Sequence, residues 1–150
     1  MKTGAENRRL WLARLLVGTV LLVNVQCALV FIWRPEAYSP GFELPGAAGA
    51  AAVRGLGVLF LMWNVPYTVA VVHPGRHRIS LYEAIAMQAI GLSGETLILL
   101  SLPALHAVAR TTTTRFILFD AAGLAALCLA AWITRRHHST SQGARDEKKI

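Results

Sequence analysis

The chain has 150 residues, of which 55% are hydrophobic and only 15% charged, and its formal net charge is +7. That length fits one domain, and a mean hydropathy of +0.48 lies outside what soluble domains of this size show. The apolar residues form unbroken runs rather than alternating, which rules out a strand-built barrel and leaves helices as the way through lipid.

Four runs are long enough to cross a hydrocarbon core of ~30 Å, which takes about 20 helical residues. They cover residues 12–33, 51–72, 81–102 and 116–133. The expected fold is therefore all-α, an antiparallel four-helix transmembrane bundle occupying residues 1–134, followed by a basic cytoplasmic tail over 135–150 that is too polar to fold by itself. With the N-terminus placed in the cytoplasm, eleven of the fifteen Lys and Arg residues fall inside, and only Arg34, Arg54, Arg110 and Arg115 fall outside. That asymmetry predicts an N-in, C-in, multi-pass protein of the cell membrane. The positive charge then belongs to the membrane surface, with anionic headgroups at the cytoplasmic face as partners and no role for nucleic acid.

The first run has the basic front of a signal peptide, but it is too long, and no small-x-small site precedes Trp33, so it reads as a retained span. Cys27 and Cys128 lie at different depths in their spans and are not expected to pair. Trp11, Trp33 and Trp132 fall at the predicted interfaces, where an aromatic belt belongs. The first outside connection, RPEAYSPGFELPGAAG, carries three prolines and is stiff enough to fold back over the outer face. In the second run, MWNVPY places Pro66 where it removes the hydrogen bond to the Met62 carbonyl, so a kink near mid-membrane is expected, with Asn64 beside it. The short basic turn HPGRHRIS leads into the third span, which Ser80 and Glu83 would open as an S-x-x-E capping box. The third connection, PALHAVARTTTTR, reads as an outside loop. His137 and His138 are too few for a metal site.

Polar residues within the spans carry the functional question. A charge at the bilayer centre costs at least ~2.5–3.5 kcal/mol, so each needs a partner or a wet cavity. On the third span Ala84, Gln88, Gly91 and Glu95 share a face. On the second, Arg54, Gly57, Leu61, Asn64 and Thr68 do so, and on the fourth Asp120, Gly123, Leu127 and Ala131. Stripes of small and polar residues mark helix–helix seams in lipid. At 1.5 Å per residue, Glu95 lies about 12 Å below the outer end of its span, Gln26 about 10 Å, Asp120 about 7 Å and Arg54 about 5 Å. The expected site is an outer-half cluster of Arg54, Glu95, Asp120 and Gln26, supported by Gln88 and Asn64, with Arg115 and His106 at its mouth. Two carboxylates against one Arg leave surplus negative charge unless Arg115 joins or one acid is protonated.

Three functions fit such a cluster. The first is a non-catalytic accessory or assembly component, working with other membrane subunits or as a homo-oligomer, in which the ion pairs only hold helices together. The second is a binding or transport module for a small amphipathic ligand, lipid or quinone. The third is a membrane enzyme using Glu95 and Asp120 as an acid/base pair, for which both acids must open on one cavity. No His pair for haem, H-E-x-x-H, C-x-x-C or P-loop is present, so no cofactor or metal is expected. The stretch AAVRGLGVLFLMWN, with its Arg-Gly-x-Gly opening of the second span, resembles the DoxX-like group of small bacterial membrane proteins. That resemblance implies a four-helix bundle in a bacterial inner membrane, with members tied to redox or stress roles, and transfers no functional residue.

Overall fold

A computed structural model describes the backbone of residues 4–146 and side chains through Arg135. Among the described residues the chain is helical with no strand: α1 is Gly4–Trp33, α2 Pro35–Tyr38, α3 Gly46–Trp63, α4 Val65–Val72, α5 Arg78–Ser101 and α6 Ala107–Asp146, with a 3-10 turn over Ser39–Phe42. Four stretches are long and apolar enough to cross a membrane: Gly4–Trp33, Gly46–Val72, Arg78–Ser101 and Ala107–Arg135. They mark a multi-pass membrane protein. The side chains of the tail expected over 135–150 lie, after Arg135, outside the described residues.

Three local expectations are corrected. The Thr run is not loop: α6 begins at Ala107, and the hydroxyls of Thr111, Thr113 and Thr114 donate to carbonyls one turn back, at 2.8–2.9 Å. Satisfying the hydroxyl internally lets a polar run stay helical. The capping box does not form, because α5 already starts at Arg78 and no side chain caps its N-terminus. Instead the HPGR turn is closed by His73, whose carbonyl accepts from Arg76 and His77 at 2.9 Å and whose Nδ1 also accepts from Arg76. The third correction concerns the start of the second span, which lies at Gly46, five residues before the apolar run.

The proline break falls where the sequence places it. The second span divides at Asn64, whose backbone (φ −81°, ψ 0°) sits in the bridge region between helical and extended conformations. Asn64 Nδ2 donates to the Phe60 carbonyl at 2.6 Å, so the side chain serves a backbone acceptor one turn back rather than Met62. The break also changes neighbours. α4 packs on both α1 and α5, whereas α3 packs on α1 and is not among the helices packed on α5.

The result is a molecule packed in one half and hollow in the other. Ala13, Val17, Val20, Tyr67, Ala70, Leu81, Ala84, Leu127, Ala130 and Ala131 form the buried core. Half of them are alanines, the small residues that let helix backbones approach in lipid. Arg14 at this end donates to the Val71 carbonyl in the last turn of α4 at 3.2 Å. Near the end of the fourth span, Arg135 donates to the Tyr82 hydroxyl at 2.9 Å. Large apolar side chains such as Leu15, Leu22, Leu97, Leu100 and Leu118 point outward, as expected of surfaces solvated by acyl chains.

Candidate functional site

At the other end the segment after α1 folds over the helices. Phe31, Tyr38, Phe42, Phe60 and Phe116 make a connected aromatic group with ring centroids 5.2–6.4 Å apart, within the range for favourable aromatic pairs. Glu43 holds this segment down. Its backbone is left-handed (φ 57°), and its carboxylate accepts from the Ala109 amide at 3.2 Å while pairing with His106 Nδ1 at 2.5 Å. A carboxylate at the first turn of α6 suits the free amides and the positive end of the helix dipole. Arg110 does the complementary work on α5, donating to the carbonyls of Leu99 and Leu102 at its C-terminal end.

The hydrogen bond from His106, with that from Ala109, holds the Glu43 carboxyl below its ordinary value of 4.5. A lowered folded-state value means the latch stabilises the loop above the ordinary carboxylate range and is lost as pH falls through the lowered value. Glu43→Gln should therefore open the segment at neutral pH, read as faster chymotrypsin cleavage after Phe42. Unchanged cleavage would show that the aromatic contacts hold the segment alone.

Beneath the aromatic group lies a partly open cavity of about 500 Å³, a size typical of small-molecule sites. All four spans line it: Asn24, Cys27 and Phe31 from α1, Phe60, Trp63 and Asn64 from α3 and the break, Tyr67 from α4, Gln88, Gly91, Gly94 and Glu95 from α5, and Phe116, Phe119 and Asp120 from α6. Its walls are mostly apolar and aromatic, and three of its polar residues, Tyr67, Gln88 and Asp120, form one hydrogen-bonded floor. There the Tyr67 hydroxyl donates to Gln88 Oε1 at 2.6 Å and approaches the Ala84 carbonyl at 3.1 Å. Gln88 Nε2 donates to Asp120 Oδ1 at 2.8 Å. Flipping the Gln88 amide would turn its oxygen toward the carboxylate, so the network fixes its orientation.

Two glycines make this network possible. A Cβ on Gly91 would stand 2.5 Å from Asp120 Oδ2, and one on Gly123 would stand 2.8 Å from Gln88 Nε2. Both positions must therefore lack a side chain for α5 and α6 to close on the Gln88–Asp120 pair. Two polar atoms of the cavity wall have no hydrogen-bond partner although buried: Asn64 Oδ1 and Glu95 Oε2. Such groups cost about 1–3 kcal/mol each when left unpaired.

Of the residues expected to cluster, Glu95, Asp120, Gln88 and Asn64 do line one cavity. Arg54, Gln26, Arg115 and His106 do not. Arg54 stands one helical step from fully buried Val53 and is exposed; it donates to the Ile32 carbonyl at 3.2 Å and pairs with Glu36 at 3.7 Å. With both partners more than half exposed, that pair is worth at most ~1 kcal/mol, so Arg54→Leu should leave the melting temperature in detergent nearly unchanged. A large drop would mean that Arg54 supports more than this contact.

Gln26 and Arg115 are likewise exposed. Gln26 turns away while its neighbour Cys27 enters the cavity wall. Cys27 and Cys128 are both free thiols. The stripes on α5 and α6 run as expected. On the second span the buried face runs beside the expected stripe: Arg54, Leu61 and Thr68 are exposed, and Ala50, Val53, Gly57, Asn64, Tyr67 and Ala70 are buried, at helical spacing that continues across the break. Tyr67 and the aromatic wall escaped the sequence reading, although 53, 57, 60, 64 and 67 repeat at helical spacing along one face.

Taken together, four membrane-length helices and the cavity they share describe a multi-pass helical membrane protein with an internal cavity that two carboxylates line. Comparison with family models, with curated proteins and with solved structures finds no match for this chain.

Proposed function

We propose that the protein is a membrane-embedded binding module for a small amphipathic molecule, held in the cavity with its polar group on the Asn64, Gln88, Glu95 and Asp120 side chains. The observation that carries this is an apolar, ligand-sized cavity among whose lining residues two, Asn64 and Glu95, each carry a buried acceptor atom with no hydrogen-bond partner. Access is sideways from the bilayer. α3 and α5 are not among the closely packed helix pairs, and Ile90 and Ile98 both line the cavity and are largely exposed. The purely structural alternative has less support, because its Arg54 ion pair lies outside the cluster and the space between the helices is not filled. One observation keeps the enzyme reading: Glu95 and Asp120 line the same cavity.

In this reading the spans alternate in direction, with both termini cytoplasmic by the distribution of Lys and Arg. The aromatic cover then faces outward, and the basic ends rest on anionic headgroups. Kinship with the DoxX-like group of bacterial inner-membrane proteins belongs to the same proposal and rests on the four-span layout and the Arg54-Gly55-x-Gly57 opening of the second span.

Two glycines supply the test. A Cβ on Gly94, which lines the cavity, or on Gly55, which does not, would meet nothing within 4 Å. Both should accept leucine without steric conflict, but only Gly94→Leu fills the cavity. Native mass spectrometry of the purified protein should show a co-purified amphiphile on wild type and Gly55→Leu and none on Gly94→Leu. An adduct carried equally by both variants would refute the site.

A further inference from the structure

We propose that the occupant is a lipophilic cation, an amine or onium centre on an apolar or aromatic body, with Glu95 as its counter-ion. This rests on the cavity being a binding site and adds the sign of the ligand's charge. The first argument is the accounting of donors and acceptors. The buried side chains of the lining that carry donors are Asn64, Tyr67 and Gln88; each has one N–H or O–H engaged, by the Phe60 carbonyl, by Gln88 and by Asp120, which leaves one amide N–H each on Asn64 and Gln88. The buried side-chain atoms left with no partner at all among the described residues are both acceptors, Asn64 Oδ1 and Glu95 Oε2. Asn64 is 4% exposed, and its amide cannot flip to offer a donor in place of Oδ1 without setting its oxygen against the Phe60 carbonyl.

Charge is the second argument. Among the described residues no Arg, Lys or His lines the cavity, whereas two carboxylates do. An anionic headgroup would meet two carboxylates and no basic side chain in the wall. A cation would neutralise a carboxylate that is otherwise isolated from any basic partner in the wall. The wall is the third argument. Phe31, Phe60, Trp63 and Phe116 line the same space, and aromatic faces attract onium and ammonium centres more strongly as water is excluded. Carboxylates and aromatic faces together bind such cations by charge, while the open side between α3 and α5 admits an apolar body from lipid.

The test is equilibrium dialysis of tetraphenylphosphonium against the purified full chain in a maltoside detergent. Tetraphenylborate, of like shape and opposite charge, and a short-chain quinone serve as comparisons. Saturable binding of the cation alone is expected, weakened at least about tenfold by Glu95→Gln, as for loss of a desolvated charged contact, and abolished by Gly94→Leu. Should Glu95→Gln fail to give a monodisperse protein, Gly94→Leu and Asp120→Asn carry the comparison. Quinone binding abolished by Gly94→Leu, with no cation binding, would overturn the charge assignment and leave the cavity reading intact. Cation uptake indifferent to Gly94→Leu would be partition into detergent and would overturn the proposal. Binding of no probe, with co-purified amphiphile equal in Gly94→Leu and wild type, would overturn both readings.

Discussion

Gly57→Ala should destabilise the protein by about 1–3 kcal/mol, the usual cost of forcing an extra methyl group into a packed contact. Its Cβ would stand 2.7 Å from the Ala28 carbonyl oxygen, 2.9 Å from Ile32 Cγ1 and 3.0 Å from Phe31 Cβ. The nearest atom is backbone, so no change of rotamer relieves the clash, and α1 must move away from α3. Moving α1 also displaces Phe31, which touches Tyr38, Phe42, Phe60 and Phe116. The loss should therefore extend to the aromatic cover. Gly55→Ala is the control, since a Cβ there meets nothing and alanine favours the helix by up to ~1 kcal/mol. Detergent melting of the two variants separates the steric argument from helix propensity. Equal melting temperatures would show that α1 and α3 are not in close contact.

Gln88→Leu should be the most damaging single change on the floor, at about 2–3 kcal/mol, because it strips two partners at once. Asp120 Oδ1 loses its donor and the Tyr67 hydroxyl loses its closer acceptor. Asp120→Leu should cost less, since it leaves only the Gln88 amide without its acceptor. The double variant Gln88→Leu/Asp120→Leu should fall short of the sum by at least about 1 kcal/mol, the coupling expected of groups within one hydrogen-bond network. Chemical denaturation of the four proteins in detergent measures that coupling. Strict additivity would mean that the two side chains do not meet.

Helix number, approximate span positions and the Pro66 break were legible in the sequence because each follows from local chemistry. Twenty apolar residues must be helical in lipid, and a proline removes a hydrogen bond wherever it stands. The seams of α5 and α6 were legible for the same reason, as small and polar residues repeat there at helical spacing. Partner choice was not legible. Depth alone placed Arg54 level with Glu95 and Asp120, but depth fixes height along a helix and leaves rotation open. One residue, about 100° of rotation, separates buried Val53 from exposed Arg54. On the second span the expected stripe shares Gly57 and Asn64 with the buried face but departs from it at Arg54, Leu61 and Thr68, because steps of three and four are both compatible with one helical face and the pattern alone does not choose between them. The low complexity of the Thr run suggests a loop, whereas each of the three donating hydroxyls bonds its own helix. His106 was read as the mouth of a site; its partner Glu43 lies 63 positions away, a pairing no local pattern carries.

The central claim is that lipid or an amphiphile enters between α3 and α5 and reaches the polar floor. Through-space NMR contacts from protonated acyl chains to deuterated, selectively labelled protein in nanodiscs test it most directly. The expected result is contact with the Met87 methyl and the Asn64 side-chain amide, which line the cavity, and none with the methyls of Leu81 and Leu127 in the packed core. Asn64 and Met87 as silent as Leu127, with direct contacts between α3 and α5 instead, would contradict it.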